Sequence, residues 1–244
     1  MKGMIDDEFA KAIVEGMQQG LKRAKTAKRE NGDRFDNAER FRIIDKMMSS
    51  LYYKIGENER IEVKEFYRYG YKLLLAYNRE EHTLYSFMSE DRLASLINSN
   101  NIKDKQNYIF SLMKFNPDDR QQQVLLPEMD IILDEQAKIQ ERIREIIEED
   151  GEIQYITILY KKQGYKLLGV RAVKMSQYAE TIANKDLSDY IAVDYEDVYE
   201  DVNNSREEIP AELEFNFKSE ILAKSENLDV EIDNKDIKRG ENNE

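Results

Sequence analysis

The sequence predicts an α+β fold in three parts. These are an N-terminal helical hairpin (1–55), a central domain of two β-hairpins with intervening helices that ends in an acidic repeat (56–202), and a largely disordered polar and acidic tail (203–244). Three observations predict it. Apolar residues recur at helical spacing through the first 55 residues, the periodicity of amphipathic helices. Runs at 71–77 and 165–175 are rich in Tyr, Leu and Val and bounded by turn residues, the pattern of paired strands. The last part is dominated by Asn, Ser, Glu, Asp and Lys, a composition too polar to bury a core.

Charge is the feature that composition asks us to explain. Charged residues make up 36% of the chain, against the usual quarter. The net charge is −13, and residues 195–244, with sixteen acids and six bases, carry −10 of it. There is no cysteine and one histidine, His82, so no disulfide, zinc or haem site is expected and no cofactor is assigned. The start, MKGMIDDEFAKA, lacks the apolar core of a signal peptide. No run approaches 18 apolar residues, so no membrane span is expected, and the simplest location is the cytoplasm.

The N-terminal hairpin comes first. Ile5, Phe9, Ile13, Met17 and Leu21 form the stripe of a helix over 5–29. Asp6, Asp7 and Glu8 open it and bases close it, as the helix dipole prefers. Asn31-Gly32-Asp33 signals a turn. Phe35, Ala38, Phe41, Ile44, Met48 and Leu51 mark a second helix over 34–53. Residues 20–29 hold five bases and no acid: Lys22, Arg23, Lys25, Lys28 and Arg29. Arg34, Arg40 and Arg42 follow the joint. Such a cluster can neutralise several phosphates, giving salt-dependent, sequence-independent DNA binding. Equally, it can be the solvated, dipole-matched end of a helix.

The central part alternates strands and helices. A weak strand at 61–69 and a stronger one at 71–77 precede a turn at 78–82 and the strand LYSFM. Ser89 is placed to cap a helix running to about 98. A short helix at 105–114 ends at Asn116-Pro117. The longest helix is read over 128–149, with Pro127 at its start and Gly151 just past its end. Its stripe of Met129, Ile132, Gln136, Ile139, Ile143 and Ile146 is heptad-like. It suits core packing or, alternatively, a homodimer seam in which Gln136 sets register. A second hairpin spans 154–175, with its turn at 161–164. The five residues GYKLL at 70–74 recur at 164–168, which suggests equivalent strands. A short polar helix is expected after Ser176.

Residues 195–202 read YEDVYEDV, an identical four-residue repeat, and from 186 to 214 there are eleven acids and one base. On a helix, positions i and i+4 share a face, so Glu196 and Glu200, then Asp197 and Asp201, form two rows of carboxylates beside Tyr195 and Tyr199. Their spacing is on the scale of nucleic-acid phosphates, about 3.4 Å apart along each DNA strand. Such a surface fits a basic cleft that normally holds DNA. The bland alternative is a solvated acidic tail.

Catalytic signals are sparse. There is no Walker A loop, G-x-G-x-x-G or G-x-S-x-G. His82 falls in a turn and reads as surface decoration. Glu62-Val63-Lys64, with Asp45 upstream, permits an E-x-K arrangement of a Mg²⁺-dependent nuclease. A charged edge-strand face explains it as well.

The basic N-terminal segment, the α+β part with LYSFM, and YEDVYEDV followed by a polar tail together resemble an early host-takeover protein of lytic Bacillus phages, of the kind that inhibits host RNA polymerase by DNA mimicry. The likeness is one of layout and acidity along the chain. The central stretches 71–88 and 155–175 are also similar to an uncharacterised family of Gram-positive bacteria and their phages, which implies no function. The first resemblance implies a non-enzymatic inhibitor in the host cytoplasm or nucleoid. An N-terminal part would anchor non-specifically to DNA, through Lys22, Arg23, Lys25, Lys28 and Arg29. A flexible acidic domain would contact the polymerase β and β′ subunits. The acids placed to mimic DNA are Asp194, Glu196, Asp197, Glu200 and Asp201. Glu141, Glu145, Glu148, Glu149 and Asp150 of the long helix are a competing surface. A regulatory or anti-defence factor that binds protein through the central domain is the alternative from a second class.

Overall fold

Two long helices open the chain because their apolar residues keep step with the helical period. In the computed structural model, which describes residues 4–31, 38–68, 71–117 and 127–192, α1 (Asp7–Asn31) and α2 (Glu39–Ile55) follow one another. Asp6 caps α1 by accepting a hydrogen bond from the Phe9 amide at 2.8 Å. Phe9, Ile13, Met17, Leu21 and Ala24 are all buried. On α2, Ile43, Met47, Leu51 and Ile55 are buried to match. The helices touch through Gly20, where a Cβ would lie 2.4 Å from Met47 Cα and 2.7 Å from the Lys46 carbonyl oxygen. Only a residue without a side chain permits this approach.

The helices lie on a six-stranded sheet of order β1-β2-β3-β4-β5-β6. Its strands are β1 (Ile61–Arg68), β2 (Tyr71–Asn78), β3 (Thr83–Ser89), β4 (Gln154–Gln163), β5 (Lys166–Met175) and β6 (Thr181–Asp186). Neighbours are antiparallel except β3 and β4, which run parallel from Thr83↔Gln154 to Ser89↔Tyr160. A parallel pair needs a crossover, supplied by α3 (Glu90–Asn98), α4 (Ile102–Lys105), α5 (Tyr108–Met113) and α6 (Pro127–Ile147). These helices cover the opposite face. The period of two divides each strand between the layers. Ile156, Ile158 and Tyr160 pack with α1 and α2, whereas Tyr155 and Leu159 pack with α3, α5 and α6. The central strands are therefore apolar on both faces, and residues 83–88 are all buried.

The fold class is α+β, as the sequence predicts, but the strands differ from expectation in two ways. They form one continuous sheet rather than two separate hairpins, because the parallel β3–β4 ladder joins them. The polar stretch after Ser176 is a strand, β6, rather than a helix. As an edge strand it needs no apolar alternation, and pairing with β5 satisfies its backbone. The GYKLL echoes lead into β2 and β5, each the middle strand of a three-stranded antiparallel meander. Helices and sheet share one core within a compact unit that ends at Ala192. Residue 55 therefore does not separate two cores. Residues 203–244, expected to be disordered, lie outside the described residues.

The second helical layer is held by polar ties. Ser89 caps α3 by accepting from the Arg92 amide at 3.3 Å, and Asn107 caps α5 by accepting from the Ile109 amide at 3.2 Å. Asn116, which reads as a chain breaker in sequence, is buried. Its Nδ2 donates to the carbonyls of Tyr155 (2.7 Å) and Met175 (2.8 Å), and its Oδ1 accepts from the Tyr155 amide (3.0 Å). It joins β4 to the end of β5. On α6, the described part of the heptad-like stripe packs inward: Ile139 and Ile143 are buried and Ile146 is partly buried against the same core, where Ile147, outside the stripe, is buried as well. Gln136 Nε2 donates to the Lys105 carbonyl at 3.2 Å. That is core packing, the first of the two uses the spacing allows. The left-handed residue ending α6 is Glu148, at φ 55°, not Gly151.

Candidate functional site

Helical spacing lays out the basic end of α1. Lys22, Lys25 and Arg29 stand four, seven and eleven residues after Gln18, which places them within about 40° of it around the axis. Lys22 and Arg29 are exposed, and Lys25 and Lys28 are half-buried. Arg23 leaves the stripe, its Nη1 donating to the buried Ser50 Oγ at 3.2 Å, so it also ties α1 to α2. Arg40 stacks over the exposed Phe41 ring at 4.8 Å, and Arg42 lies 3.6 Å from Glu39. Three of the five predicted anchoring bases thus share one stripe of the helix end; Lys28 lies about 80° from Gln18 around the axis, and Arg23, though exposed, reaches across to α2. Arg34 lies outside the described residues.

The predicted mimic residues Asp194, Glu196, Asp197, Glu200 and Asp201 also lie outside the described residues. The competing acidic surface is described. Glu141, Glu145, Glu148, Glu149 and Asp150 line an open depression of about 600 Å³ with Ala137, Gln140 and Arg144. Five carboxylates and one guanidinium give it a net charge of −4. Arg144 faces main-chain oxygens, donating to the carbonyl of Gly151 at 2.7 Å, and stacks over Phe115 at 5.1 Å.

Glu149 is the fixed point of this surface. Its Oε1 accepts from the Gly151 amide at 2.9 Å. Its Oε2 accepts from the Tyr77 hydroxyl at 2.8 Å and lies 3.0 Å from His82 Nδ1. The Gly151 amide, then Tyr77, then His82 hold its carboxyl well below the usual range, at about 2. Burial, then the Glu149 charge, pushes the Tyr77 hydroxyl up. His82 is therefore more than decoration. At φ 48° it joins the β2–β3 turn to the turn after α6, and its carbonyl accepts from the Gln154 amide at 2.9 Å. Sequence reading missed Tyr77 and the role of His82, because Glu149 stands 72 and 67 residues away from them, respectively.

The E-x-K pair is otherwise engaged. Both guanidinium nitrogens Nε and Nη2 of Arg79 bond the Glu62 carboxylate, and Lys64 Nζ lies 3.2 Å from it. The Arg79 bonds lower its pKa, against the effect of desolvation. Asp45 is exposed on α2.

At the other end of the described chain, Ala192 is clamped to α1. Gln18 Nε2 donates to its carbonyl at 2.9 Å, and its amide donates to Gln18 Oε1 at 3.0 Å. Nothing in the local sequence signals a contact across 174 residues.

A three-layer α+β protein with a basic helix end and an acid-lined depression is the class that these features define. The chain belongs to a family of unknown function, DUF5986, which matches residues 2–232. The match takes in the helical front as well as the central sheet. No curated protein and no solved structure matches the chain. No helix among the described residues is long and apolar enough to cross a membrane.

Proposed function

We propose that the protein works without chemistry of its own, as a phage-type inhibitor of bacterial RNA polymerase that offers carboxylates where the enzyme binds DNA phosphates. The basic end of α1 is its anchor on DNA. The observation that carries this reading is the acidic depression at the end of α6, net −4. Glu149 is held ionised there by three hydrogen-bonding partners. The resemblance in layout to polymerase-inhibiting DNA mimics supports the choice of partner. Charge complementarity makes such binding fast and salt-sensitive. Anchoring to DNA raises the local concentration at the target, since tethering makes the second contact effectively intramolecular.

Capture of purified polymerase tests it, with three forms of the protein: the full chain, a chain ending at Ala192, and the full chain with Glu141→Gln, Glu145→Gln and Glu148→Gln. Loss of capture in the truncated chain assigns the contact to the acidic repeat, and loss in the triple variant assigns it to α6. Equal capture by all three moves the interface to another surface and ends the mimic reading. No capture by any form ends the polymerase reading.

A further inference from the structure

We propose that the β4–β5 turn is a DNA-binding ribbon that seats in the major groove. The inference rests on the reading of the protein as DNA-binding, but not on the bases of α1. It starts from charge. Residues 153–179 hold five bases and no acid, where the chain's own frequency of 50 acids in 244 residues would place about five or six. β4 and β5 fill most of this stretch, and three of its bases, Lys161, Lys162 and Lys166, stand at the turn between them. There the two strands outrun their neighbours. β3 leaves β4 at Ser89↔Tyr160, and β6 leaves β5 at Arg171↔Asp186, with the Leu187 amide on the Val170 carbonyl just beyond. The pairs Lys161↔Gly169, Lys162↔Leu167 and Gln163↔Lys166 lie past both points, and no strand flanks them among the described residues. The turn closes at Gly164, φ 54°, a conformation that suits glycine.

The two faces of this ribbon differ. On one, Leu167 is buried and Lys162 is half-buried, and at the turn the Tyr165 hydroxyl bonds Glu39 in the first turn of α2. That face is fixed to the first helical layer. On the other, Lys161 and Gln163 stand two residues apart on β4, and Lys166 lies opposite Gln163, so the three share a face. Leu168 follows Lys166 by two and is the extra residue at the register shift beside Lys161. All four are exposed. Lys161 and Lys162 make no ion pair with any described residue. Glu90, at the start of α3 on the same side of the sheet, is taken up by Arg171 at 2.6 Å. Three rungs of about 3.3 Å carry the turn about 10 Å past the sheet. The major groove of B-DNA is about 12 Å wide and about 8.5 Å deep, and it admits a two-stranded ribbon. Lysines on such a ribbon neutralise phosphates along the groove, while an amide such as Gln163 meets adenine and an apolar side chain such as Leu168 meets the thymine methyl.

The test measures anisotropy of a labelled DNA duplex across a salt series, on the full chain and three full-length variants. The first is Lys161→Gln, Lys162→Gln and Lys166→Gln. The second removes as many bases elsewhere on the surface (Lys46→Gln, Lys103→Gln, Lys138→Gln). The third neutralises α1 (Lys22→Gln, Lys25→Gln, Arg29→Gln). A duplex RNA of the same length is titrated beside the DNA, because its deep, narrow major groove shuts out side chains. The expected result in the first variant is DNA binding weakened tenfold or more, with a salt slope lower by about 2 to 3. The second should change less than twofold, and the full chain should bind the RNA at least fivefold more weakly than the DNA. Equal weakening in the first two variants would make this an effect of net charge and overturn the inference. So would unchanged binding in the first while the third loses it, a result that leaves the α1 anchor standing. Weakening in the first with none in the third supports the ribbon and ends the α1 anchor. Equal affinity for RNA and DNA overturns the seat in the groove. Absence of DNA binding by the full chain removes ribbon and anchor together, and leaves the polymerase contact to its own test.

Discussion

The two helical layers on either face of the sheet are built on different principles. The α1–α2 layer consists of two long amphipathic helices in backbone contact at Gly20, with an almost purely apolar interface to the sheet. The α3–α6 layer includes three helices of four to nine residues, and its joints are polar: the caps at Ser89 and Asn107, the Gln136–Lys105 bond and the Asn116 clamp. Periodic burial makes the first layer robust to any one polar change and sensitive to added volume. The second is the reverse, since short helices are marginal without tertiary ties. The charges follow the same division, with bases closing α1 and carboxylates closing α6.

The strongest way to break this comparison is Asn116→Ala. It leaves the Tyr155 amide and the Tyr155 and Met175 carbonyls without their side-chain partner in a buried site. Each orphaned buried group costs about 1–3 kcal/mol. With partial relaxation, the expected loss is about 3 kcal/mol, read as a fall in the urea midpoint at unchanged slope. A loss below about 1 kcal/mol would mean that the second layer does not depend on its polar ties.

Gly20→Ala probes the other layer and has a smaller expected effect. Helix propensity favours Ala by about 1 kcal/mol. Opposing it, the new methyl meets Met47 Cα and the Lys46 carbonyl, backbone atoms that no rotamer change moves aside. Overpacking of this kind costs about 1–3 kcal/mol. The net expectation is a loss of about 1 kcal/mol, and a larger one for Gly20→Val. At Gly16 the nearest approach is 3.0 Å, so Gly16→Ala should cost less. A raised midpoint in Gly20→Ala would contradict the close crossing.

Legibility in the sequence divides along the same line. α1, α2 and α6 are readable because an apolar stripe at helical spacing has one stable use, burial. β2, β4 and β5 are readable from their Tyr, Leu and Val runs. β6, TIANKD, is not, because an edge strand is defined by its neighbour's backbone rather than by its own side chains. The joining of strands into one sheet depends on the β3–β4 register, which pairs residues some seventy positions apart. The candidate site shows the same limit. The clusters of like charge, on α1 and at the end of α6, are visible as composition. What fixes them is not: Tyr77 and His82 on Glu149, Arg79 on Glu62, and Gln18 on Ala192 are all contacts between distant segments. Asn116 is the sharpest case, since the same residue type signals a surface turn far more often than a buried clamp.

Glu149→Gln has the smallest expected effect on stability at neutral pH and the most specific dependence on pH. The folded-state carboxyl titrates at about 2, whereas an unfolded glutamate titrates near 4.3. A group whose pKa is depressed on folding contributes stability above its unfolded value and loses it as pH falls through the folded one. The contribution is therefore complete above about pH 5 and fades between there and about pH 2. The amide keeps an acceptor for Gly151 or Tyr77 but carries no charge to titrate. Wild type and variant both weaken in acid, because Glu62, Asp7 and Asp186 also have lowered pKa values. The difference between them is what isolates Glu149. Measured as thermal midpoints from pH 7 to pH 2.5, the wild-type advantage should be constant to about pH 5 and then shrink. An advantage that stays level across that range would mean that the Tyr77–His82–Glu149 cluster is held by hydrogen bonding alone, and that the acidic depression lacks the fixed charge on which its proposed role depends.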